Sequence, residues 1–128
     1  MQNPIVWFEI YVQDMPRAKT FYETVLQLEL SSLADPTDTD NPIEMWAFPS
    51  NMDEHGAAGA LVKMDGIPPL TNGVGTIVYF QPEECGEVAE RAVENGGSIF
   101  KEKMAIGEFG SIVLVNDTEG NLIGFHSM

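Results

Sequence analysis

One arrangement of apolar residues occurs twice in this chain of 128 residues, and it constrains the fold more than any other feature. Apolar side chains recur at relative positions 0, 3, 4, 7 and 8 in residues 18–26 and again in residues 85–93. This spacing is typical of an amphipathic helix that covers an apolar surface. In each half, one apolar strand precedes the helix, at residues 5–12 and 75–81. The pattern therefore predicts an α+β fold in which a strand and a helix begin each half.

Three further strands are predicted after each helix. Short apolar runs separated by turn residues indicate the following six strands: 28–33, 43–48 and 57–64 in the first half, and 98–102, 110–115 and 121–126 in the second. Residues 66–72 contain Pro68-Pro69 and are the most linker-like stretch. We therefore predict one domain built from two βαβββ modules, residues 4–65 and 73–128, joined by the linker 66–72.

The ends of both helices carry recognisable signals. Asp14 is a candidate N-cap and is followed by Pro16 in the first turn, where a missing N–H is tolerated. Asn95-Gly96-Gly97 is a standard stop for the second helix. These signals fix where each helix begins or ends relative to the neighbouring strands.

Charge and cysteine content exclude several classes of function. The chain has 20 Asp and Glu against 6 Lys and Arg, a net charge of −14, so phosphate backbones and anionic lipid would repel it. We predict no nucleic-acid partner and no membrane partner. The single Cys85 cannot form an internal disulfide, which favours a reducing compartment. No basic flank precedes an apolar segment at the N-terminus, so no signal peptide is predicted and the expected location is the cytoplasm.

Two motifs give the chain a resemblance to a known superfamily. Residues 12–22, Val-Gln-Asp-Met-Pro-Arg-Ala-Lys-Thr-Phe-Tyr, and the turn 117–121, Asp-Thr-Glu-Gly-Asn, resemble those of the vicinal oxygen chelate superfamily. This superfamily includes glyoxalase I, bleomycin-resistance proteins and extradiol dioxygenases. Glu84 looks like the second module's counterpart of Asp14. The resemblance implies tandem βαβββ modules that form a half-barrel enclosing a cleft, and it implies a homodimer.

The same resemblance points to four positions for metal ligands. In metal-dependent members, each module supplies one His or Glu near the start of its first strand and one in its last strand. Here these positions fall on Trp7 and Ala60 in the first module, and on Thr76 or Ile77 and Gly124 in the second. None of these side chains is a usual ligand for a divalent cation. We therefore predict that the metal site is lost and that no cofactor is bound.

Strand alternation selects the residues that would face the cleft. Trp7, Glu9 and Tyr11 share one face of the first strand, and His126 shares a face with Gly124 in the last strand. Glu9 and His126 are candidate catalytic residues. The candidate ligand-binding residues are Trp7, Glu9, Tyr11, Trp46, Phe80 and His126.

Each candidate also has a structural interpretation. Glu9 could instead be paired across the fold, His126 could be a half-exposed residue near the chain end, and the aromatic residues could be ordinary core. We interpret Trp46 and Phe80 as core residues more readily than Trp7. His55, the only other histidine, is predicted to be solvated in a turn, and Cys85 to be an inert buried thiol.

The sequence leaves three functions open. The leading hypothesis is a small-molecule-binding protein of the bleomycin-resistance type, whose acidic surface would suit a cationic ligand. The alternative is an enzyme, a glyoxalase-type lyase or isomerase or a dioxygenase, with a divalent metal at a displaced site around Glu9 and His126. The third is a structural domain whose cleft is filled by its own side chains.

Overall fold

The fold follows the predicted order of strands and helices. The computed structural model describes residues 3–34, 43–51, 53–64 and 75–128. The helices are α1 (Met15–Leu26) and α2 (Cys85–Glu94). The strands are β1 (Ile5–Tyr11), β2 (Ser31–Leu33), β3 (Glu44–Ala47), β4 (Ala58–Lys63), β5 (Thr76–Phe80), β6 (Ser98–Ala105), β7 (Ser111–Asn116) and β8 (Leu122–Ser127). The order βαβββ therefore occurs twice, which confirms the predicted α+β fold.

Contacts divide the chain into two compact units. Residues Trp7–Thr76 form the first unit, and Met1–Val6 together with Ile77–Met128 form the second. The predicted linker 66–72 lies outside the described residues, so the module boundary placed there remains a prediction. No helix within the described part of the chain is both long enough and apolar enough to cross a membrane.

In the first unit, α1 covers one face of four strands. Their order is β2-β3-β4-β1, in which β1 and β4 are parallel and the other two pairs are antiparallel. The core under α1 is built on Met15, Leu30 and Leu61, and Ile10 and Val12 of the first predicted strand pack against it. The prediction that the helix lies on the apolar face of the first strand is therefore confirmed.

The second unit repeats this arrangement. Its strand order is β5-β8-β7-β6, with β5 and β8 parallel and the other two pairs antiparallel. The core under α2 is built on Cys85, Ala89, Val113 and Val115. Cys85 is fully buried, as predicted.

Both helices begin with a side-chain cap at the predicted place. Asp14 Oδ1 accepts a hydrogen bond of 3.0 Å from Arg17 N, and Glu84 Oε2 accepts one of 2.5 Å from Glu87 N. Each cap satisfies one of the N–H groups that a helix leaves unpaired at its first turn. The counterpart relationship between Asp14 and Glu84 is therefore confirmed in the geometry of the two helices.

Two strand boundaries differ from the prediction by three residues, and the others by at most one. Strand β2 begins only at Ser31 because Leu30 is drawn into the core, 4% exposed, while its N–H donates to Glu23 Oε2 at 2.9 Å. Strand β6 continues to Ala105, three residues beyond the predicted end, and carries two irregularities in its pairing with β7. A short 3₁₀ turn, Gly107–Phe109, then follows that was not predicted.

The turn before β8 is organised by a single carboxylate. Asp117 Oδ1 accepts hydrogen bonds of 2.8 Å from both Glu119 N and Asn121 N, and its Oδ2 accepts one of 3.0 Å from the Asn121 side chain. The Asn121 side chain, followed by the backbone N–H groups, holds the pKa of Asp117 below its ordinary value of 3.8. A carboxylate whose pKa is lower in the folded state stabilises the fold above its unfolded-state pKa and loses that contribution as the pH falls through the folded value.

We expect Asp117→Asn to destabilise the protein only while the carboxylate is charged. At pH 7 the variant should melt a few degrees below the unchanged protein, because the amide accepts hydrogen bonds less strongly than the carboxylate. The difference should shrink as the pH is lowered through 3.8 and below. Thermal unfolding followed by circular dichroism between pH 7 and pH 2 measures this. A difference in melting temperature that is constant over this range would contradict the assignment.

Candidate functional site

A carboxylate held by two aromatic side chains lies on β1. Glu9 Oε2 accepts a hydrogen bond of 3.1 Å from Trp7 Nε1, and Glu9 Oε1 accepts one of 2.7 Å from the Tyr11 hydroxyl. Tyr11 is buried, whereas Trp7 and Glu9 are partly buried. We call the side of the first unit that carries these three residues the Glu9 face.

The alternation of a strand produces this cluster. Side chains two residues apart project from the same side of a strand, so Trp7, Glu9 and Tyr11 are neighbours, as the sequence predicted. The residue paired with Glu9 on β4 is Ala60, and Ala60 pairs in turn with Ala47 on β3. The row that contains the carboxylate therefore holds two methyl side chains next to Glu9 and ends in Ser31 of β2.

This geometry orients the carboxylate. Trp7 and Tyr11 are neutral donors, and each reaches a different oxygen of Glu9. The bonds also fix the plane of the carboxylate, because each oxygen has its own donor. Such a group can accept a hydrogen bond from a ligand or pair with a positive charge.

Trp46 lies on the opposite side of the same strands. Its partner on β4 is Leu61, a core residue beneath α1, and Trp46 packs against that core. The Trp46 Nε1 donates to Glu44 Oε2 at 3.1 Å, and Lys19 Nζ lies 3.2 Å from the ring centroid. Of the chain's two tryptophans, only Trp7 is beside Glu9.

His126 belongs to the second unit and links three segments there. Its Nε2 lies 2.5 Å from the Phe109 carbonyl oxygen, and its Nδ1 lies 3.4 Å from Gln81 Nε2. The carbonyl can only accept, so Nε2 carries a hydrogen and is the donor. The histidine therefore ties the end of β8 to the 3₁₀ turn and to the residue after β5.

Phe80 lines a hollow in the second unit. Its ring centroid lies 5.9 Å from that of Phe125, its partner in the β5–β8 pairing. The hollow has a volume of about 320 Å³. It is lined by Asn3, Pro4, Val6, Phe80, Gln81, Pro82 and Phe125. Only Phe80 of these residues was a candidate from the sequence, because nothing in the sequence pattern links the N-terminal segment to the end of β5.

The six candidate residues therefore fall into three places. Trp7, Glu9 and Tyr11 are together on the Glu9 face, and Trp46 lies on the other side of the same unit. Phe80 and His126 lie in the second unit, where both are near Gln81. His55 is exposed in a bend, as predicted.

The four positions that the resemblance assigns to metal ligands do not fit a chelated metal. In the first unit they are Trp7 and Ala60. In the second unit Ile77 stands seven residues before the helix cap Glu84, as Trp7 stands seven before Asp14, and the other position is Gly124. None of these side chains offers a usual ligand atom. Across the described ranges, no group of three or more His, Cys, Asp or Glu could hold a metal ion.

Comparison with protein families gives one match over nearly the whole chain. The model described as Glyoxalase/Bleomycin resistance protein/Dioxygenase superfamily matches residues 4–125. No curated protein matches the chain. The resemblance to the vicinal oxygen chelate superfamily is confirmed by the family match.

Several solved structures share the fold at low sequence identity. A hypothetical protein from Bacillus halodurans is 14% identical, with 97% of this chain and 93% of that chain covered and a TM-score of 0.67. Methylmalonyl-CoA epimerase from Mycobacterium tuberculosis is 16% identical, with 97% and 87% covered and a TM-score of 0.65. Methylmalonyl-CoA epimerase from Streptomyces coelicolor, in complex with 2-nitronate-propionyl-CoA, is 17% identical, with 98% and 96% covered and a TM-score of 0.61. At these identities the likeness shows the fold alone.

Proposed function

Because the chain belongs to the Glyoxalase/Bleomycin resistance protein/Dioxygenase superfamily, we propose that it binds a small organic molecule at the Glu9 face and does not use a chelated metal. One observation carries this proposal: both oxygens of the Glu9 carboxylate are held, by Trp7 and by Tyr11. A carboxylate held in this way already has a fixed orientation before the ligand binds, so binding costs less side-chain conformational entropy.

The chemistry of this face favours a cationic ligand with an apolar body. A positive group would pair with the Glu9 carboxylate, and the rings of Trp7 and Tyr11 would supply apolar contact and cation–π attraction. The net charge of −14 adds a long-range attraction, because an acidic protein raises the local concentration of cations. The ligand class is therefore an organic ammonium or amidinium compound.

The residues at the superfamily's ligand positions support binding without metal chemistry. Trp7 and Ala60 in the first unit, and Ile77 and Gly124 in the second, have no side-chain atom suited to a divalent cation. Trp7 instead donates its indole N–H to Glu9. Trp7 therefore orients the carboxylate that we assign to ligand recognition.

We also propose that the protein acts in the cytoplasm as a homodimer. The single Cys85 is a fully buried thiol, which suits a reducing compartment. Strands β2 and β6 are the outer strands of their units, and an outer strand is a surface that a second copy can cover. Sedimentation velocity of the purified protein measures the oligomeric state.

The proposal predicts a fluorescence response from Trp7 and none from Trp46. In the Trp46→Phe variant, Trp7 is the sole tryptophan, and benzyltrimethylammonium should change its emission in a saturable manner. In the Trp7→Phe variant, Trp46 is the sole reporter and lies on the opposite side of the strands, so its emission should stay constant. Titration of both variants provides the measurement.

Phenylacetate is the matched anionic probe for this experiment. It has a similar ring with the opposite charge, so it should bind Trp46→Phe at least about tenfold more weakly than the ammonium compound, because the attraction between unlike charges is replaced by repulsion between like charges. Equal responses to both probes, or a response confined to Trp46, would refute the proposed site.

A further inference from the structure

The hollow beside Phe80 has both an aromatic wall and a polar group. The rings of Phe80 and Phe125 lie 5.9 Å apart with their planes tilted by 40°, and Pro4, Val6 and Pro82 complete the apolar lining. Gln81 places an amide in the same lining. Small-molecule sites are typically apolar and contain a few polar groups that fix the ligand's orientation.

A chain of hydrogen bonds fixes the orientation of the Gln81 amide. The Phe109 carbonyl can only accept, so His126 Nε2, 2.5 Å away, is the donor to it. When Nε2 carries the only hydrogen of the ring, Nδ1 is an acceptor, and Gln81 Nε2, at 3.4 Å, donates to it. With its NH₂ group directed at His126, the amide presents its carbonyl Oε1 as the acceptor that we assign to a ligand.

We propose that this hollow binds a planar aromatic molecule that carries one hydrogen-bond donor, and that His126 is the positioning residue for the acceptor Gln81. The donor of the ligand binds Gln81 Oε1, while its ring packs against Phe80 and Phe125. This site lies wholly in the second unit and does not depend on Glu9, so its failure would leave the proposed function untouched.

The size of the hollow limits the ligand to one or two rings. Its volume of about 320 Å³ is at the lower end of the range for small-molecule sites, which begins near 300 Å³. The two aromatic rings in the lining favour a flat partner, because offset stacking and edge-to-face contacts both need a ring face. A molecule such as indole meets both requirements and supplies a single N–H donor.

Indole and benzofuran are the probes that test the proposal. They have nearly the same shape, but only indole has an N–H donor. In ¹H–¹⁵N spectra of the full chain, indole should shift the Gln81 side-chain signals and the backbone signals of Val6 and Phe80, and should bind about fivefold more tightly than benzofuran, the usual effect of one neutral hydrogen bond. Gln81→Leu keeps the bulk but removes the acceptor, so it should abolish this preference.

Two substitutions of His126 separate positioning from simple structural support. His126→Asn places an acceptor near the position of Nδ1, so this variant should retain the preference for indole. His126→Gln keeps a donor for the Phe109 carbonyl but has no acceptor near the position of Nδ1, so it should lose the preference. A purely structural role would make the two variants alike. Shifts that spread over the protein, equal affinities for both probes in the unchanged chain, or loss of preference in both histidine variants would overturn the proposal.

Discussion

Gly110→Ala should lower the free energy of unfolding by about 3 kcal/mol, the sum of a strained backbone and an overpacked contact. Gly110 has a φ of +95°, which L-residues with a side chain rarely adopt. A Cβ atom at this position would also lie inside van der Waals contact with the backbone carbonyl of Ser127, at the end of β8. Because that oxygen belongs to the backbone, it cannot swing away as a side chain could.

Gly120→Ala is the matched control for this prediction. Gly120 has a similar φ of +86°, but nothing lies within 4 Å of the Cβ that it would gain. It should therefore cost only the backbone strain, about 1 kcal/mol. Chemical denaturation of the two variants measures the difference. Equal losses of stability would show that the contact with Ser127 relaxes and that φ alone determines the cost.

The elements that the sequence predicted well depend on local geometry. The helical spacing in residues 85–93 and the caps Asp14 and Glu84 act within one or two turns, so the chain nearby is enough to place them. The alternation of β1 likewise places Trp7, Glu9 and Tyr11 on one face without knowledge of the other strands. The sequence did not show that Glu9 accepts hydrogen bonds from both aromatic neighbours.

Features that depend on distant segments could not be predicted in the same way. Strand β3 has four residues, and its register against Leu61 of β4, rather than its own pattern, places Trp46 beneath α1. The contact of His126 with Phe109 requires a 3₁₀ turn seventeen residues earlier in the chain. Gly107 begins this turn and Gly110 follows it, and both have positive φ. These two glycines are the sequence signal that could have predicted the turn.

Glu9→Gln should weaken the binding of benzyltrimethylammonium by at least about tenfold, because the quaternary ammonium loses its ion pair with a partly buried carboxylate, which contributes more than the ~1 kcal/mol of an exposed pair. The amide has nearly the same shape as the carboxylate but no charge. It also has one oxygen in place of two, so it cannot accept from both Trp7 Nε1 and the Tyr11 hydroxyl as Glu9 does. The variant therefore loses both the charge and the orientation of the group that we assign to recognition. Titration of Trp7 fluorescence in the Trp46→Phe background gives the affinity.

Glu44→Gln in the same Trp46→Phe background is the control for charge, because Glu44 is an exposed carboxylate two residues from Trp46 on β3, on the side of the strands opposite the Glu9 face. It removes one carboxylate without changing the Glu9 face, so the affinity should stay within about twofold, as expected for an exposed charge. An equal loss in both variants would mean that overall charge, and not Glu9, attracts the ligand.

Metal analysis of untagged protein distinguishes the enzyme hypothesis from the binding proposal. Stoichiometric metal that is lost in both Glu9→Gln and His126→Ala would replace the binding proposal with a metal-dependent site. Protein that binds the ammonium probe and contains no stoichiometric metal would instead assign Glu9 to recognition.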